Sequence, residues 1–382
     1  MHYDAIVIGL GAMGSATAAE LARRGVRVLG LEAFGRAHSL GSSGGRSRII
    51  RLAYFEHPAY VPLLRAAWDG WHALERETGR SLLLQTGGLY GGRAGATVLE
   101  GSRRSAEEHD LPHRLLDADE ARAEFPALQL DADMQVLHEP MAGLLYPELA
   151  IDTHLALAEA NGASLHFDER VTAWGGGERL EVATEAGTYT CDRLVLAAGA
   201  WLPRLVPELE LPLSVERNVL FWFEPRDAAP LEPARLPVYI VELDAEHAFY
   251  GFPLLPDQGA KIARHHGGQP VEPDAVERDA TDADEQPVRE FAQRYLPAAA
   301  GRRLDAKVCL YTNTPDLDFI VDLHPGDPRV VVCSPCSGHG FKFSNVIGRI
   351  NADLALHGGT DHDIGFMSLG RFARVAWGAD RR

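Results

Sequence analysis

Apolar positions along the chain fall into short continuous runs closed by glycine-rich turns, and these alternate with longer stretches of helical spacing. That alternation is how strands buried on both faces and crossed by helices read, and it predicts an α/β arrangement. The first run, Tyr3 to Ile8, leads into Gly9-Leu-Gly-Ala-Met-Gly14. A small-residue helix follows from near Ala12, and a second strand spans Val26 to Leu31 before Glu32. Helical spacing returns from Leu149 to Asn161, and a strand at Arg193 to Leu196 runs into Ala-Ala-Gly-Ala-Trp201. A strand at Arg329 to Cys333, a turn at Ser337 to Gly340 and a helix at Ser344 to Leu356 close the series. Between about Leu213 and Ala306 the strands carry more aromatics, as in Phe221-Trp-Phe223 and Phe249-Tyr-Gly-Phe252, with acidic loops such as Asp279 to Glu285.

The opening unit is a dinucleotide-binding fingerprint in its proper context. Gly9 permits the tight turn, Gly11 lets the backbone approach a pyrophosphate, and Gly14 lets the helix pack closely on the strand. The N-terminus of that helix faces the anion. Glu32 follows the second strand, where a carboxylate accepts both ribose hydroxyls and repels a 2′-phosphate, which favours FAD or NAD over NADP. The expected fold is therefore α/β plus α+β. A discontinuous Rossmann-like nucleotide-binding domain is expected from residues 1–82, 147–212 and 307–382, with a second, mostly antiparallel β-sheet substrate domain from 83–146 and 213–306.

Charge and cysteine usage narrow the partners. A formal net charge of −17 argues against nucleic acid and anionic membrane, so an anionic substrate needs a local basic pocket. The apolar runs are too short to cross a bilayer, and the opening one reads as a strand, not a secretory leader. Cys191, Cys309, Cys333 and Cys336 do not form a disulfide framework, which makes a reducing cytoplasm the expected compartment. Lysine is scarce: only Lys261, Lys307 and Lys342 occur among 37 basic residues. Lysine is a compact charge with a tunable pKa, so the survivors stand where arginine cannot replace them.

Three arginines, Arg46, Arg48 and Arg51, follow the glycine-rich loop Gly41-Ser-Ser-Gly-Gly45. Such a loop can bring guanidiniums beside a redox ring, where one clamps a substrate carboxylate bidentately. Cys333-Ser-Pro-Cys336 has neither the second ligand pair of a zinc site nor a thioredoxin-like context, and reads as two small apolar residues flanking a turn. No His-Glu-x-x-His motif occurs and no Gly-x-Ser-x-Gly elbow joins a strand to a helix, so neither a metal site of that kind nor a hydrolase is expected.

Taken together, Gly-x-Gly-x-x-Gly, Arg48-Ile-Ile-Arg51-x-Ala-Tyr54, Tyr250-Gly-Phe-Pro253, Lys261-Ile-x-x-His265, Val308-Cys-Leu-Tyr311-Thr, Asp318-Phe-Ile-x-Asp322 and Ser337-Gly-His-Gly-Phe-Lys-Phe-Ser344 resemble the monomeric sarcosine oxidase and N-methyltryptophan oxidase family nearly end to end. Lys261-Ile-Ala-Arg-His-His-Gly-Gly-Gln269 is closer to the N-methyltryptophan branch. The resemblance implies FAD bonded through its 8α-methyl to Cys309. It implies Lys261, with His265 nearby, over the flavin where oxygen reacts. Arg51 and Lys342 would hold the substrate carboxylate, with Arg48 near the flavin ring and Tyr250 and Tyr311 lining the pocket. The cofactor is expected to contact Gly9, Gly11, Ala12, Met13 and Gly14, then Glu32, Ala33, Ser42, Ser43 and Arg48. Further contacts are expected from Val171, Ala198, Gly199, Trp201, Cys309, Gly338, His339, Gly340, Phe341 and Lys342. One departure stands out: where the family carries paired histidines and an aspartate, this loop reads Ser42-Ser-Gly-Gly-Arg-Ser47, so Gly44 and Arg46 replace side chains near the flavin.

The expected activity is oxidation of a secondary amino acid, N-methyl or cyclic, to an imine, with O2 reduced to H2O2 by a monomeric enzyme. Two other classes share the same fingerprint: a dehydrogenase passing electrons to a quinone or protein, and a non-catalytic protein on the same scaffold. Air-stable reduced flavin marks the first, and a colourless protein the second.

Overall fold

The computed structural model describes residues 1–372. Five parallel strands, in the spatial order Asp327–Ser334, Thr188–Leu196, His2–Ile8, Val28–Leu31 and Ser164–His166, form the centre of the first sheet. Ala5 and Val7 face one side and Ile6 and Ile8 the other, each side joining a separate apolar cluster, so both faces are buried as the unbroken apolar run requires. The helices Ala12–Arg23, Pro147–Ala160 and Ser344–His357 cover the first of these faces. Pro147 starts its helix two residues before the expected Leu149, at the position where a missing N–H costs nothing. The second strand begins at Val28, not Val26, and the strand into Ala197 begins at Thr188, not Arg193.

A nine-stranded sheet forms the other layer. Its pairs are antiparallel except Val238–Asp244 with Gly88–Arg93. Strand Arg303–Asn313 pairs with Ser214–Phe223 along its length, so the boundary expected at 307 falls inside a strand of this sheet, because a ladder cannot be divided part-way. Residues 373–382 of the expected third stretch lie outside the described residues. The expected acidic loop Asp279 to Glu285 is a loop only as far as Thr281, and its last four residues begin a helix, Asp282–Tyr295. Thr281 caps it, with Asp284 completing a capping box, and acids in a first turn face the positive end of the helix. Phe291 of this helix stacks on Phe249, with ring centroids 4.6 Å apart.

Strand pairing places the chemistry-bearing residues. Lys261 pairs with Trp222, Ala263 with Tyr250 and Leu220, Asn218 with Cys309, and Glu216 with Tyr311. Side chains alternate with period two, so Lys261, His265, Tyr250, Cys309 and Tyr311 share one face of this sheet. The opposite face, with Phe221, Phe223, Ile262 and Leu310, packs into a separate core. A small antiparallel sheet of Arg48–Ile50, Gly143–Leu145 and Leu83–Gln85 carries Arg48.

Candidate active site

A cavity of about 520 Å³ opens along the C-terminal ends of the parallel strands, where ligands sit in open α/β sheets. Gly9, Gly11, Ala12, Met13, Glu32, Ala33, Ser42, Ser43, Val171, Ala198, Gly199 and Trp201 line its outer part. Gly9 has φ +87°, and a Cβ on Gly14 would lie 1.7 Å from the Gly9 oxygen, so the turn and the helix meet only through glycine. Glu32 accepts from Leu10 N at 2.7 Å and from Phe34 N at 3.1 Å, with His38 Nε2 at 3.3 Å. Ser43 Oγ takes Ala12 N at 3.3 Å, and the buried Ser42 hydroxyl has no partner among the described residues. A ribose-facing carboxylate, a backbone cradle too tight for any Cβ and a free buried hydroxyl fit a flavin adenine dinucleotide.

The inner part of the cavity is lined by Arg48, Arg51, Glu56, Tyr250, His265, Tyr311 and the turn Gly338 to Lys342. Arg51 is 2% exposed and forms an ion pair with Glu56, its Nη2 donating to both carboxylate oxygens at 2.7 and 2.6 Å. Its guanidinium stacks 4.2 Å from the ring centroids of both Tyr54 and Phe55. Lys342 donates to His339 O at 2.6 Å and is 3.5 Å from Tyr54 Oη. Burial, then the nearby Arg51 charge, lowers the Lys342 pKa to about 7. His339 Nε2 lies 3.0 Å from Leu317 O and must donate to it, so Nδ1 accepts from the Tyr54 hydroxyl at 2.5 Å. Burial pushes the His339 pKa down to about 3, and that of His265 well below its usual value, so both rings are neutral. The same burial raises the phenols of Tyr250 and Tyr311.

Between these two parts the loop from Ser42 to Arg48 is held from several directions. Arg48 donates to Ser42 O at 2.8 Å, Ser47 O at 2.9 Å and Gly44 O, and lies 3.4 Å from Cys309 Sγ. Lys261, 3% exposed, donates to Gly45 O at 2.7 Å, Ser47 O at 2.8 Å and Ser47 Oγ at 3.2 Å. Burial and the neighbouring Arg48 lower its pKa well below the usual lysine value, but three acceptors for three N–H bonds match a charged ammonium. Glu148, in the first turn of Pro147–Ala160, accepts from Gly45 N at 2.7 Å and Arg46 N at 3.0 Å. Gly45 adopts φ +119°, and a Cβ there would lie 2.5 Å from Leu220 Cδ1.

The three arginines thus diverge. Arg46 leaves the site for an ion pair with Asp305 and stacks 4.5 Å from the Trp222 ring, Arg48 binds loop carbonyls, and Arg51 pairs with Glu56. Lys261, Cys309 and Gly14 are not on the cavity wall. Of the Cys-Ser-Pro-Cys pair, Cys333 is buried and accepts from Asn351 Nδ2 at 3.2 Å, while Cys336 reaches the cavity. Burial raises both thiols, to about 12 and about 11.

The model of the family described as FAD dependent oxidoreductase matches residues 4–354. The chain belongs to that family. This oxidoreductase is 46% identical over 377 residues to the monomeric sarcosine oxidase of Streptomyces avermitilis, covering 97% of this chain and 98% of that one. It is 36% identical to the N-methyl-L-tryptophan oxidase of Yersinia pseudotuberculosis, over 97% of this chain and all of the other. The resemblance drawn from the motifs is thereby confirmed. Among solved structures, NikD, an amino acid oxidase of nikkomycin biosynthesis, superposes with a TM-score of 0.86 at 26% identity, covering 96% and 97% of the two chains.

Two acids of this oxidoreductase went unread in the sequence. Glu56 stands five residues after Arg51, a spacing that within one loop is a signal for an ion pair. Glu148 lies about a hundred residues from the amides it holds, and nothing local marks it.

Proposed function

We propose that this protein is an FAD-dependent oxidase of a secondary amino acid, N-methyl or cyclic, forming an imine and passing the electrons to O2 as H2O2. The observation that carries this reading is the convergence of two cations, Arg51 and Lys342, on an aromatic chamber that continues from a dinucleotide cradle. Identity to a sarcosine oxidase and an N-methyltryptophan oxidase supports it. Bound FAD supplies acceptance of a hydride equivalent from the C–H bond beside the substrate nitrogen. The chain supplies placement: Arg51 and Lys342 take the carboxylate, and the walls formed by Tyr250 and Tyr311 exclude water around the amine. Neutral His265 offers a lone pair to the substrate N–H without holding a positive charge against it. Lys261 places a cation where oxygen takes up electrons. In this reading the first sheet with its helices binds the cofactor, the nine-stranded sheet supplies the substrate wall, and the enzyme works as a cytoplasmic monomer. No helix among the described residues is long and apolar enough to cross a membrane.

An aerobic peroxide assay over sarcosine, N-methyltryptophan, pipecolate and proline tests the reaction. Peroxide from at least one of them is expected. Anaerobic bleaching without peroxide in air would point to another electron acceptor, and no bleaching with any of them would end the proposal.

Covalent attachment at Cys309 is the finer part of the proposal. Its sulfur lies beside Arg48 and on the sheet face that carries Tyr250 and Tyr311. Acid precipitation should leave the flavin on the chain, and Cys309→Ser should release it as free FAD. Cys336→Ser should retain it; release there instead would move the attachment to Cys336, the thiol that reaches the cavity wall.

A further inference from the structure

Glu139 ends the strand Met134–Glu139 and is fully buried, with no cation among the described residues bonded to it. Its Oε1 accepts from Leu52 N at 2.9 Å and Ala53 N at 3.0 Å, and its Oε2 accepts from the Tyr90 hydroxyl at 2.8 Å. Both ends of this arrangement lead to Arg51. Ala53 O takes Arg51 Nη1 at 3.2 Å, and the Tyr90 ring centroid lies 5.8 Å from the guanidinium carbon. Gly88 pairs with Glu139 across the ladder, and a Cβ there would sit 2.1 Å from the Tyr90 hydroxyl. The chain thus leaves room at Gly88 for the phenol to reach the carboxylate. A buried carboxylate is costly unless its bonds are satisfied, and here three donors satisfy it with no salt bridge among the described residues.

We propose that Glu139 is a positioning residue for carboxylate recognition: it fixes the two parts of the wall that hold Arg51, the Leu52–Ala53 backbone and the Tyr90 ring. The proposal rests on the reading of Arg51 as the substrate-carboxylate anchor. The ionisable groups that face Glu139 are Arg51 from the loop, which is charged, and Tyr90 from the neighbouring strand, whose phenol burial keeps neutral. Burial raises its carboxyl to about 7, against about 4.3 for a free glutamate. Protons therefore stay on the folded state longer, so stability falls as pH rises from about 4.3 to about 7 and stays reduced above that.

The test uses the flavin-loaded enzyme and acetate as a carboxylate probe, titrated through the flavin spectrum. Glu139→Ala should raise the acetate Kd at least tenfold. Glu139→Gln keeps an acceptor for Leu52 and Ala53 and a polar group for Tyr90, and should raise it no more than about threefold. Independently of activity, the fall in Tm of the protein between pH 5 and pH 8 should be shallower in Glu139→Gln than in wild type. Equal Kd values in wild type and both variants, with Arg51→Met raising the acetate Kd strongly, would overturn the role of Glu139 alone. If Arg51→Met leaves the wild-type response intact, the anchor reading has failed instead.

Discussion

Lys261→Met is expected to slow reoxidation of the reduced enzyme by about two orders of magnitude, while anaerobic reduction by substrate falls less. Oxygen that accepts an electron becomes an anion, and a cation about 5 Å away at an effective dielectric near 20 stabilises it by roughly 3 kcal/mol, which is about a hundredfold in rate. The ammonium is held at one point by Gly45 O, Ser47 O and Ser47 Oγ, with the Phe252 and Trp222 rings 4.6 and 5.5 Å away. A planar guanidinium cannot satisfy those three converging acceptors, so Lys261→Arg should restore only part of the rate. Stopped-flow measurement of the two half-reactions checks this. Equal losses in both would make Lys261 a general organiser of the loop, and an undiminished oxidative half-reaction would remove it from oxygen chemistry.

What the sequence disclosed, and what it hid, divides along contact order. The dinucleotide unit was legible because strand, turn, helix and acid are contiguous, and each glycine answers a local steric demand such as the Gly14 contact with the Gly9 oxygen. The face shared by Lys261, His265, Tyr250, Cys309 and Tyr311 follows from period-two alternation, but only once the register is known, and register joins segments far apart in sequence. Reading Asp279 to Glu285 as a loop gave the acids too much weight. Thr281 three residues ahead of Asp284 is the pattern that starts a helix there. Glu139 and Glu148 were invisible for a related reason. Apart from the Tyr90 hydroxyl on Glu139, their partners are backbone amides in the Ser42–Ala53 region, and amides carry no residue-type signature.

Arg51→Met is expected to lower kcat/KM by about a hundredfold, mainly through KM. Each buried charge-assisted hydrogen bond is worth roughly 1.5–3 kcal/mol, and a bidentate clamp supplies two, from which the cost of displacing Glu56 must be subtracted. A fall in kcat as well would show that the clamp also orients the reacting bond. The pH dependence separates the two cations. Arg51 stays charged throughout, whereas Lys342, with its pKa lowered to about 7, is an ammonium below that pH and neutral above it. Carboxylate binding should therefore weaken as pH rises through about 7. Glu139 gains negative charge over the same range and acts in the same direction. Wild type and Arg51→Met should both show this slope in a pH series of acetate or substrate binding, the variant from a weaker starting affinity. Lys342→Met should lose most of it, and the remainder measures the share of Glu139. A slope unchanged in Lys342→Met would take Lys342 out of carboxylate binding and leave Arg51 as the only anchor.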